Sequence, residues 1–295
     1  MTGFLSGTAT AMITPFDENG VNFECFGQMI DYQIAGGTDI LVVLGTTGEP
    51  STMTEEEKVA VMEYAVKKTA GRAKLVFGCG SNCTAHAIAA AKQAEQIGAD
   101  GLLAVTPYYN KCTQQGLYEY YKSICEAVSI PVIAYNGPGR PGVEIQPATM
   151  AKIAELPNMA GIKDAGGNMS KTMETMRLVR GKCDVYSGED ALNFPILAVG
   201  GDGVISVLSN IVPKEVKDLY NFVKSGDLAS AIALADKLLP LANACFIEVN
   251  PIPVKEAMNL LGFNAGTPRA PLTKMESANV EKLRNAMQAF GLETK

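Results

Sequence analysis

A lysine stands inside an apolar stretch of this chain, where an ammonium group is unusual. The stretch reads MAGIKDA over residues 159–165, and the lysine is Lys163. Burial disfavours the charged form of a lysine, so a desolvated lysine has a lowered pKa, and its neutral amine can attack a carbonyl carbon to form a Schiff base. The alternative is a lysine whose stem packs on apolar surface while its head reaches water and pairs with Asp164. On a strand Asp164 points to the opposite face, which favours the nucleophile.

Other polar side chains stand where predicted strands end. Tyr135 ends the strand before that of Lys163, and a tyrosine can act as a general acid or base. Thr46 and Thr47 lie in GTTGE, where they suit either a simple turn or the binding of a carboxylate through hydroxyl and backbone N–H groups. Arg140 lies in the constrained loop YNGPGRPG, either as a surface residue or as a guanidinium fork for a substrate carboxylate. The strand ends also carry Tyr108, Tyr109, Asn136, Gly188 and Ile205.

The residue types that are rare in this chain exclude several kinds of chemistry. His86 is the only histidine, so a two-histidine zinc site cannot form within one chain, and a Ser-His-Asp triad would have to use this residue. The seven cysteines contain no C-x-x-C pair, which favours reduced, structural thiols. Lysine, tyrosine, carboxylates or a cofactor are left to carry the chemistry, and we expect no metal site.

The composition favours a soluble globular protein. Hydrophobic residues make up 47% of the 295 residues, and the net charge of -6 favours neither nucleic acid nor an anionic membrane as a partner. The chain has no apolar run of roughly 18 residues and no charged start followed by an apolar signal region. We therefore expect a cytoplasmic protein.

Short apolar runs alternate with amphipathic stretches, which indicates βαβ units and a parallel sheet. The strand candidates are GTATAMITPF, DILVVLG, KLVFGC, GLLAVTP, PVIAYN, MAGIKDA, CDVYSG and GVISV. Eight such units predict the α/β class and a (β/α)8 TIM barrel, whose active site lies at the C-terminal ends of the strands. The runner-up is a doubly wound open sheet, but the glycine-rich fingerprint usual after its first strand is missing.

Capping residues predict where two helices begin and end. Thr54 is the predicted N-cap of the first, with Glu57 at the capping-box position and Gly71 as the stop. Thr84 and Gly98 are the corresponding cap and stop of the second.

The pattern changes after about residue 226, where helical stretches follow one another without a strand. These stretches cover about 227–246, 253–262 and 276–291. We expect a barrel domain over residues 1–226 and a C-terminal three-helix appendage packed on it over residues 227–295.

The motifs together resemble the dihydrodipicolinate synthase and N-acetylneuraminate lyase family of pyruvate-dependent class I aldolases. The resemblance covers essentially the whole chain and rests on GTTGE, TPYYN, YNGPGR, GIKDAGGN, SGED and NPIPVKEAM in family order. Arg140 and the tyrosine pair of TPYYN favour the dihydrodipicolinate synthase branch. That branch condenses pyruvate with L-aspartate 4-semialdehyde to 4-hydroxy-tetrahydrodipicolinate in lysine and diaminopimelate biosynthesis. A lyase or aldolase acting on N-acetylneuraminate or 2-keto-3-deoxygluconate is the alternative within the same chemistry, and a non-catalytic barrel that binds a keto acid is the alternative outside it.

The resemblance implies a Schiff-base mechanism without metal or organic cofactor. It makes Lys163 the residue that binds pyruvate covalently, and Tyr135, Thr46 and Tyr109 a proton relay. The family's tyrosine at the position of Tyr109 reaches into the neighbouring subunit's site, so a homo-oligomer, commonly a tetramer built as a dimer of dimers, is implied.

The resemblance also implies four substrate contacts. Thr47 would hold the pyruvate carboxylate, and Gly188 and Ile205 would supply backbone contacts. Arg140 would engage the carboxylate of L-aspartate 4-semialdehyde.

Some members of the family are inhibited by lysine at a cleft between subunits. The matching positions here are Ser51, Lys58, Asn82, His86 and Tyr108. His86 stands where an acidic residue would bind the effector, and Lys58 stands where histidine is usual. Because a cation there repels lysine, we expect weak or no inhibition by lysine.

Overall fold

Eight parallel strands close into a barrel in the computed structural model, which describes Gly3 and residues 5–295. The strands are β1 Gly7–Ala11, β2 Ile40–Val43, β3 Lys74–Gly78, β4 Gly101–Val105, β5 Val132–Asn136, β6 Met159–Asp164, β7 Asp184–Ser187 and β8 Gly203–Ser206. Neighbours around the barrel follow the order β1-β8-β7-β6-β5-β4-β3-β2. The predicted TIM barrel is confirmed, and the doubly wound open sheet is not the fold.

The barrel strands read as nearly unbroken apolar runs because most of them are covered on both faces. Every residue of β2, with the sequence ILVV, is buried, and so is every residue of β6. Parallel sheets lie between a core and a layer of helices, so neither face alternates with polar residues. A polar residue such as Lys163 on β6 therefore stands out.

Amphipathic helices connect the strands, and further helices follow the last strand. They are α1 Phe23–Ala35, α2 Glu55–Thr69, α3 Thr84–Ile97, α4 Gln114–Ala127, α5 Pro147–Ile153, α6 Met169–Val179, α7 Asn193–Ala198, α8 Pro213–Ser225, α9 Leu228–Ala244, α10 Ile252–Leu260 and α11 Ser277–Phe290. In the described part of the chain no helix is long and apolar enough to cross a membrane.

The predicted helix ends are partly right. Thr54 caps α2, and its capping box with Glu57 is complete. The helix ends at Thr69, and its C-cap Ala70 takes the left-handed conformation one residue before the predicted stop. For α3 the predicted stop is confirmed, but Thr84 is already helical, and the N-cap is Cys83. The helix starts earlier because the carbonyl of Cys83 already accepts a bond from the N–H of Ala87.

By their contacts the described residues form two compact units. The first contains Gly3, residues 5–7 and residues 74–205, with β3–β7 and helices α3–α7. The second contains residues 8–73 and 206–295, with β2 and helices α1, α2 and α8–α11. In the second unit α11 packs on α9 and α10, so the three predicted C-terminal helices are present.

Gly203 on β8 gives a direct test of the barrel packing. A Cβ atom at Gly203 would overlap the carbonyl oxygen of Gly7, and backbone atoms cannot move aside easily. We expect Gly203→Ala to lower the free energy of unfolding by about 1–3 kcal/mol, because overpacking forces strain into the strands. Urea unfolding measures this, with Gly139→Ala as the control, since nothing lies within 4 Å of a Cβ atom at Gly139. Equal stability of the two variants would contradict the close approach of Gly203 to Gly7.

Candidate active site

The pairing of β5 with β6 brings Lys163 beside Tyr135. The two residues are Cα partners in the parallel ladder, so their side chains leave the sheet on the same face. The Nζ atom of Lys163 lies 4.3 Å from the centroid of the Tyr135 ring. Only 6% of Lys163 and 7% of Tyr135 are exposed. A buried amine and a phenol are therefore neighbours, as the sequence predicted.

Gly188 lies next to Lys163 at the end of β7, and Ile205 lies one strand further on, in β8. An added Cβ atom at Gly188 would lie 2.8 Å from both Cγ and Cε of Lys163, so the absent side chain leaves room for the lysine stem. Ser187 pairs with Val204, and Gly188 and Ile205 are the next residues along the two strands. Ile205 is buried. The structure thus brings Lys163, Tyr135 and Gly188 together as predicted.

Tyr186 on β7 lies beside Lys163, with its ring toward the N-terminal end of β6. It is the Cα partner of Lys163 on β7, and its ring packs over Gly161, two residues earlier on β6. Its hydroxyl donates to Oδ2 of Asp184 at 3.1 Å. Burial raises the pKa of Tyr186 well above the ordinary value, so this phenol stays protonated. It can exclude water below the lysine but cannot act as its base.

Asp164 points away from Lys163 and organises the other face of the sheet. Its carboxylate accepts hydrogen bonds from the Thr172 hydroxyl at 2.6 Å and from the Asn136 amide at 3.3 Å. The side-chain Oδ1 atom of Asn136 in turn accepts the N–H of Ile145 at 2.9 Å, beyond the loop that carries Arg140. In the part of the chain that the structure describes, no carboxylate pairs with Lys163. The lysine is thus a buried amine without a counter-ion.

The Asp164 network was not predicted from the sequence as an organiser of the site. The available signal was the strand alternation, which places Asp164 and Asn136 on the same outer face. Their register as Cα partners became visible only with the fold.

Arg140 lies on an exposed loop after β5. Its N–H donates to the carbonyl of Gly137 at 3.0 Å, which makes a turn. The far end of the loop is anchored through Ile145, so the chain on both sides of the exposed Arg140 is fixed.

Acidic residues follow β7. Burial, and then the charges of Asp164 and Asp190, raise the pKa of the half-buried Glu189. A carboxyl group with a raised pKa keeps its proton to higher pH. Among the described residues no three histidine, cysteine, aspartate or glutamate side chains are grouped to hold a metal ion.

Thr46 and Thr47 form a short 3-10 turn directly after β2. This turn, Thr46–Gly48, belongs to the second unit. Thr47 is buried, and its Oγ1 atom accepts a hydrogen bond from the Nδ2 atom of Asn250 at 2.9 Å. Its own hydroxyl hydrogen is thus left to donate to another acceptor, such as a carboxylate.

Tyr109 is not packed into the cluster around Lys163. It is 84% exposed, and its backbone takes the left-handed conformation with φ 72°. Such a conformation is uncommon for a bulky side chain and is found preferentially at functional positions.

The residues predicted for an effector site are mostly at the surface. Ser51, Asn82, His86 and Tyr108 are exposed or partly exposed. Lys58 is half-buried, and its ammonium group pairs with Glu55 at 2.7 Å.

Comparison with known proteins gives the same family over the whole chain. The model of the dihydrodipicolinate synthetase family matches residues 4–290. A 4-hydroxy-tetrahydrodipicolinate synthase from Caldicellulosiruptor bescii is 50% identical over 98% of each chain. The crystal structure of dihydrodipicolinate synthase from Aquifex aeolicus is 43% identical, with a TM-score of 0.96 over 99% of this chain and 100% of that one. A chloride-inhibited dihydrodipicolinate synthase from Acinetobacter baumannii, complexed with pyruvate, is 39% identical, with a TM-score of 0.96 over 98% of this chain and 99% of that one. With its closed barrel and its buried lysine on β6, the chain belongs to the dihydrodipicolinate synthetase family.

Proposed function

We propose that this chain is a class I aldolase that condenses pyruvate with L-aspartate 4-semialdehyde to give 4-hydroxy-tetrahydrodipicolinate. The product enters lysine and diaminopimelate biosynthesis. The observation that carries this proposal is Lys163, a buried amine beside a phenol and without a carboxylate partner. The choice of substrates is supported by the 4-hydroxy-tetrahydrodipicolinate synthase that is 50% identical to this chain and by the relative that was crystallised with pyruvate.

The reaction begins at the Nζ atom of Lys163. The neutral amine attacks the ketone carbon of pyruvate, and the carbinolamine loses water to give an imine. The imine withdraws electrons, so a methyl proton leaves and an enamine forms. The enamine carbon attacks the aldehyde of the second substrate, whose amino group then adds to the imine carbon. This cyclisation displaces the lysine and frees the enzyme.

Proton transfer is assigned to hydroxyl groups. Tyr135 is the group next to Lys163, and it passes protons to and from the carbinolamine. Thr46 and Tyr109 complete the relay in this proposal.

Substrate binding is assigned to four residues. Thr47 donates its free hydroxyl hydrogen to the pyruvate carboxylate, and Gly188 and Ile205 present backbone groups beside the lysine. Arg140, held on its anchored loop, binds the carboxylate of L-aspartate 4-semialdehyde bidentately.

We infer further that Tyr109 acts in the site of a partner subunit, within a homo-oligomer of the dimer-of-dimers type. The exposure of Tyr109 and its left-handed backbone support this assignment, because the strained residue has no packing role in its own chain. The seven cysteines are all free thiols, which suits a reducing cytoplasm.

Weak or absent inhibition by lysine stays part of the proposal. It rests on Lys58, and on a histidine instead of an acidic side chain at His86, the two positions beside which an effector ammonium would have to lie.

The proposed reaction is tested by comparing substrates under pyruvate-dependent conditions. We expect kcat/KM for L-aspartate 4-semialdehyde to exceed that for cleavage of N-acetylneuraminate or 2-keto-3-deoxygluconate by about 10²-fold or more, because Arg140 pairs with a carboxylate. Lys163→Met should lower kcat by several orders of magnitude, while the exposed Lys152→Met should leave it unchanged. A higher kcat/KM for a sugar acid would show that L-aspartate 4-semialdehyde is not the substrate. Binding of pyruvate without turnover of any of these substrates would show that the protein is not an aldolase.

Gly188→Ala tests the close packing around the nucleophile. The added methyl group would displace the side chain of Lys163, and a displacement of about 1 Å can lower the rate of imine formation by about 10²-fold. Stopped-flow borohydride trapping with pyruvate measures the rate of imine formation. Gly139→Ala is the control, because a Cβ atom there meets nothing within 4 Å. Equal trapping rates in the two variants, at equal melting temperatures, would show that Gly188 does not shape the lysine site.

Mixed oligomers test the role of Tyr109 in trans. We expect Tyr109→Phe and Lys163→Ala to be nearly inactive alone and to regain activity after mixing and subunit exchange. In each hybrid pair one site then combines an intact Lys163 with the intact Tyr109 of the other chain. If the mixture stays inactive although hybrids form, or if sedimentation shows only monomers, Tyr109 does not act across an interface.

A further inference from the structure

A fully buried ion pair lies directly behind the turn that carries Thr46 and Thr47. The Nζ atom of Lys255 on α10 lies 2.7 Å from Oε1 of Glu49, and the side chains are 0% and 2% exposed. Burial lowers the pKa of Lys255, and the charge of Glu49 opposes that shift. An uncompensated charge in this position would be strongly unfavourable, so each residue requires the other.

Both carboxylate oxygens of Glu49 are occupied. Oε1 binds Lys255, and Oε2 accepts the backbone N–H of Arg269 at 2.9 Å. The Arg269 guanidinium in turn pairs with Glu57 on α2 at 2.6 Å. The ring of Phe16 is contacted by both cations, with the Nζ of Lys255 and the Cζ of Arg269 each 4.1 Å from its centroid. Glu49 is thereby fixed from several elements of the second unit at once.

The segment held by Glu49, residues 44–49, is named here the threonine loop. It begins at Leu44 with φ 58° and ends at Glu49 with φ 56°, so a non-glycine residue in the left-handed region stands at each end. Both residues are buried. Such backbone persists only where the surroundings over-determine it, and it is concentrated at functional sites.

Two further hydrogen bonds fix the middle of the threonine loop. The Thr14 hydroxyl donates to the carbonyl of Gly48 at 2.7 Å, and Asn250 donates to the hydroxyl of Thr47 at 2.9 Å. Asn250 lies five residues before Lys255, so the segment that supplies the lysine also orients the threonine.

We propose that the Glu49–Lys255 ion pair is a positioning device that holds the strained threonine loop with Thr46 and Thr47 in their working orientation. Neither Glu49 nor Lys255 touches substrate in this role. The inference rests on the proposed function, because that function gives the two threonines their roles in proton transfer and carboxylate binding.

The test removes both charges at once, so that no lone charge stays buried. We expect Glu49→Gln/Lys255→Met to lower kcat by about 10–100-fold through misplacement of the threonines. The control is Asp39→Asn/Lys217→Met, which removes a 2.6 Å ion pair at the opposite end of β2. That control should keep kcat. Glu49→Asp keeps both charges but shortens the side chain that holds the loop. It is the fallback variant if the double variant does not fold, and we expect it to lower kcat less than removal of both charges would.

Removing the ion pair from a variant that lacks both threonine hydroxyls distinguishes a loss of kcat through misplaced threonines from a loss through general damage to the structure. In the Thr46→Val/Thr47→Val background, we expect removal of the ion pair to lower kcat by less than about 2-fold relative to that background, because the effects of coupled residues are not additive. An unchanged kcat in the wild-type background, or an equal fold-loss in both backgrounds, would overturn the positioning role.

Amide hydrogen exchange reads the threonine loop without depending on activity. Exchange at residues 44–49 should be faster by about tenfold or more in the ion-pair variant and unchanged in the control. Unchanged exchange at residues 44–49 in the ion-pair variant would overturn the inference, whatever the kcat of that variant. Absence of a borohydride-trapped pyruvate adduct on Lys163 of the wild type would instead overturn the proposed function.

Discussion

The register between β5 and β6 fixes where the Lys163 amine lies, and the site is built around that position. Because Tyr135 and Lys163 are Cα partners in a parallel ladder, their side chains emerge together on one face of the sheet. A shift of one residue would send Lys163 to the outer layer and bring Asp164 inward. The bonds from Thr172 and Asn136 to Asp164 stabilise the observed register from the outer face.

The sheet keeps Lys163 apart from the carboxylate nearest to it in the sequence, Asp164. Thr172 and Asn136 hold the Asp164 carboxylate on the outer face, so it forms no ion pair with Lys163. On the inner face Lys163 lies over the Tyr135 ring, and its stem occupies the space left by the missing side chain of Gly188. Its ladder partner on β7 is the buried Tyr186. The lysine is thus buried beside a phenol and has no carboxylate partner among the described residues.

The sequence predicted those features that depend on short-range pattern. All eight strands were visible as apolar runs, and the capping box at Thr54 was right because it is a local arrangement of four residues. The start of α3 was missed by one residue, because the backbone bond from Ala87 to Cys83 decides it rather than the nearest hydroxyl side chain. Lys163 could be proposed from the sequence because a lysine in a buried strand conflicts with its surroundings, and Tyr135 because it ends the preceding strand.

Features that depend on distant parts of the chain were not predictable from the pattern. The space at Gly188 for the Lys163 stem follows from the meeting of β6 and β7. The contact of Glu49 with Lys255 joins residues 206 positions apart, although both stand in motifs that the sequence analysis singled out. The left-handed backbone of Tyr109 was likewise a result of the fold, because nothing in the sequence pattern indicates that conformation at a tyrosine.

The central claim is that Lys163 is the covalent nucleophile, and peptide mapping after borohydride reduction in the presence of pyruvate tests it most directly. We expect one reduced pyruvate adduct per chain, located on Lys163, and none on Lys255, which is also buried. Absence of any adduct under turnover conditions, or an adduct on a different lysine, would contradict this claim.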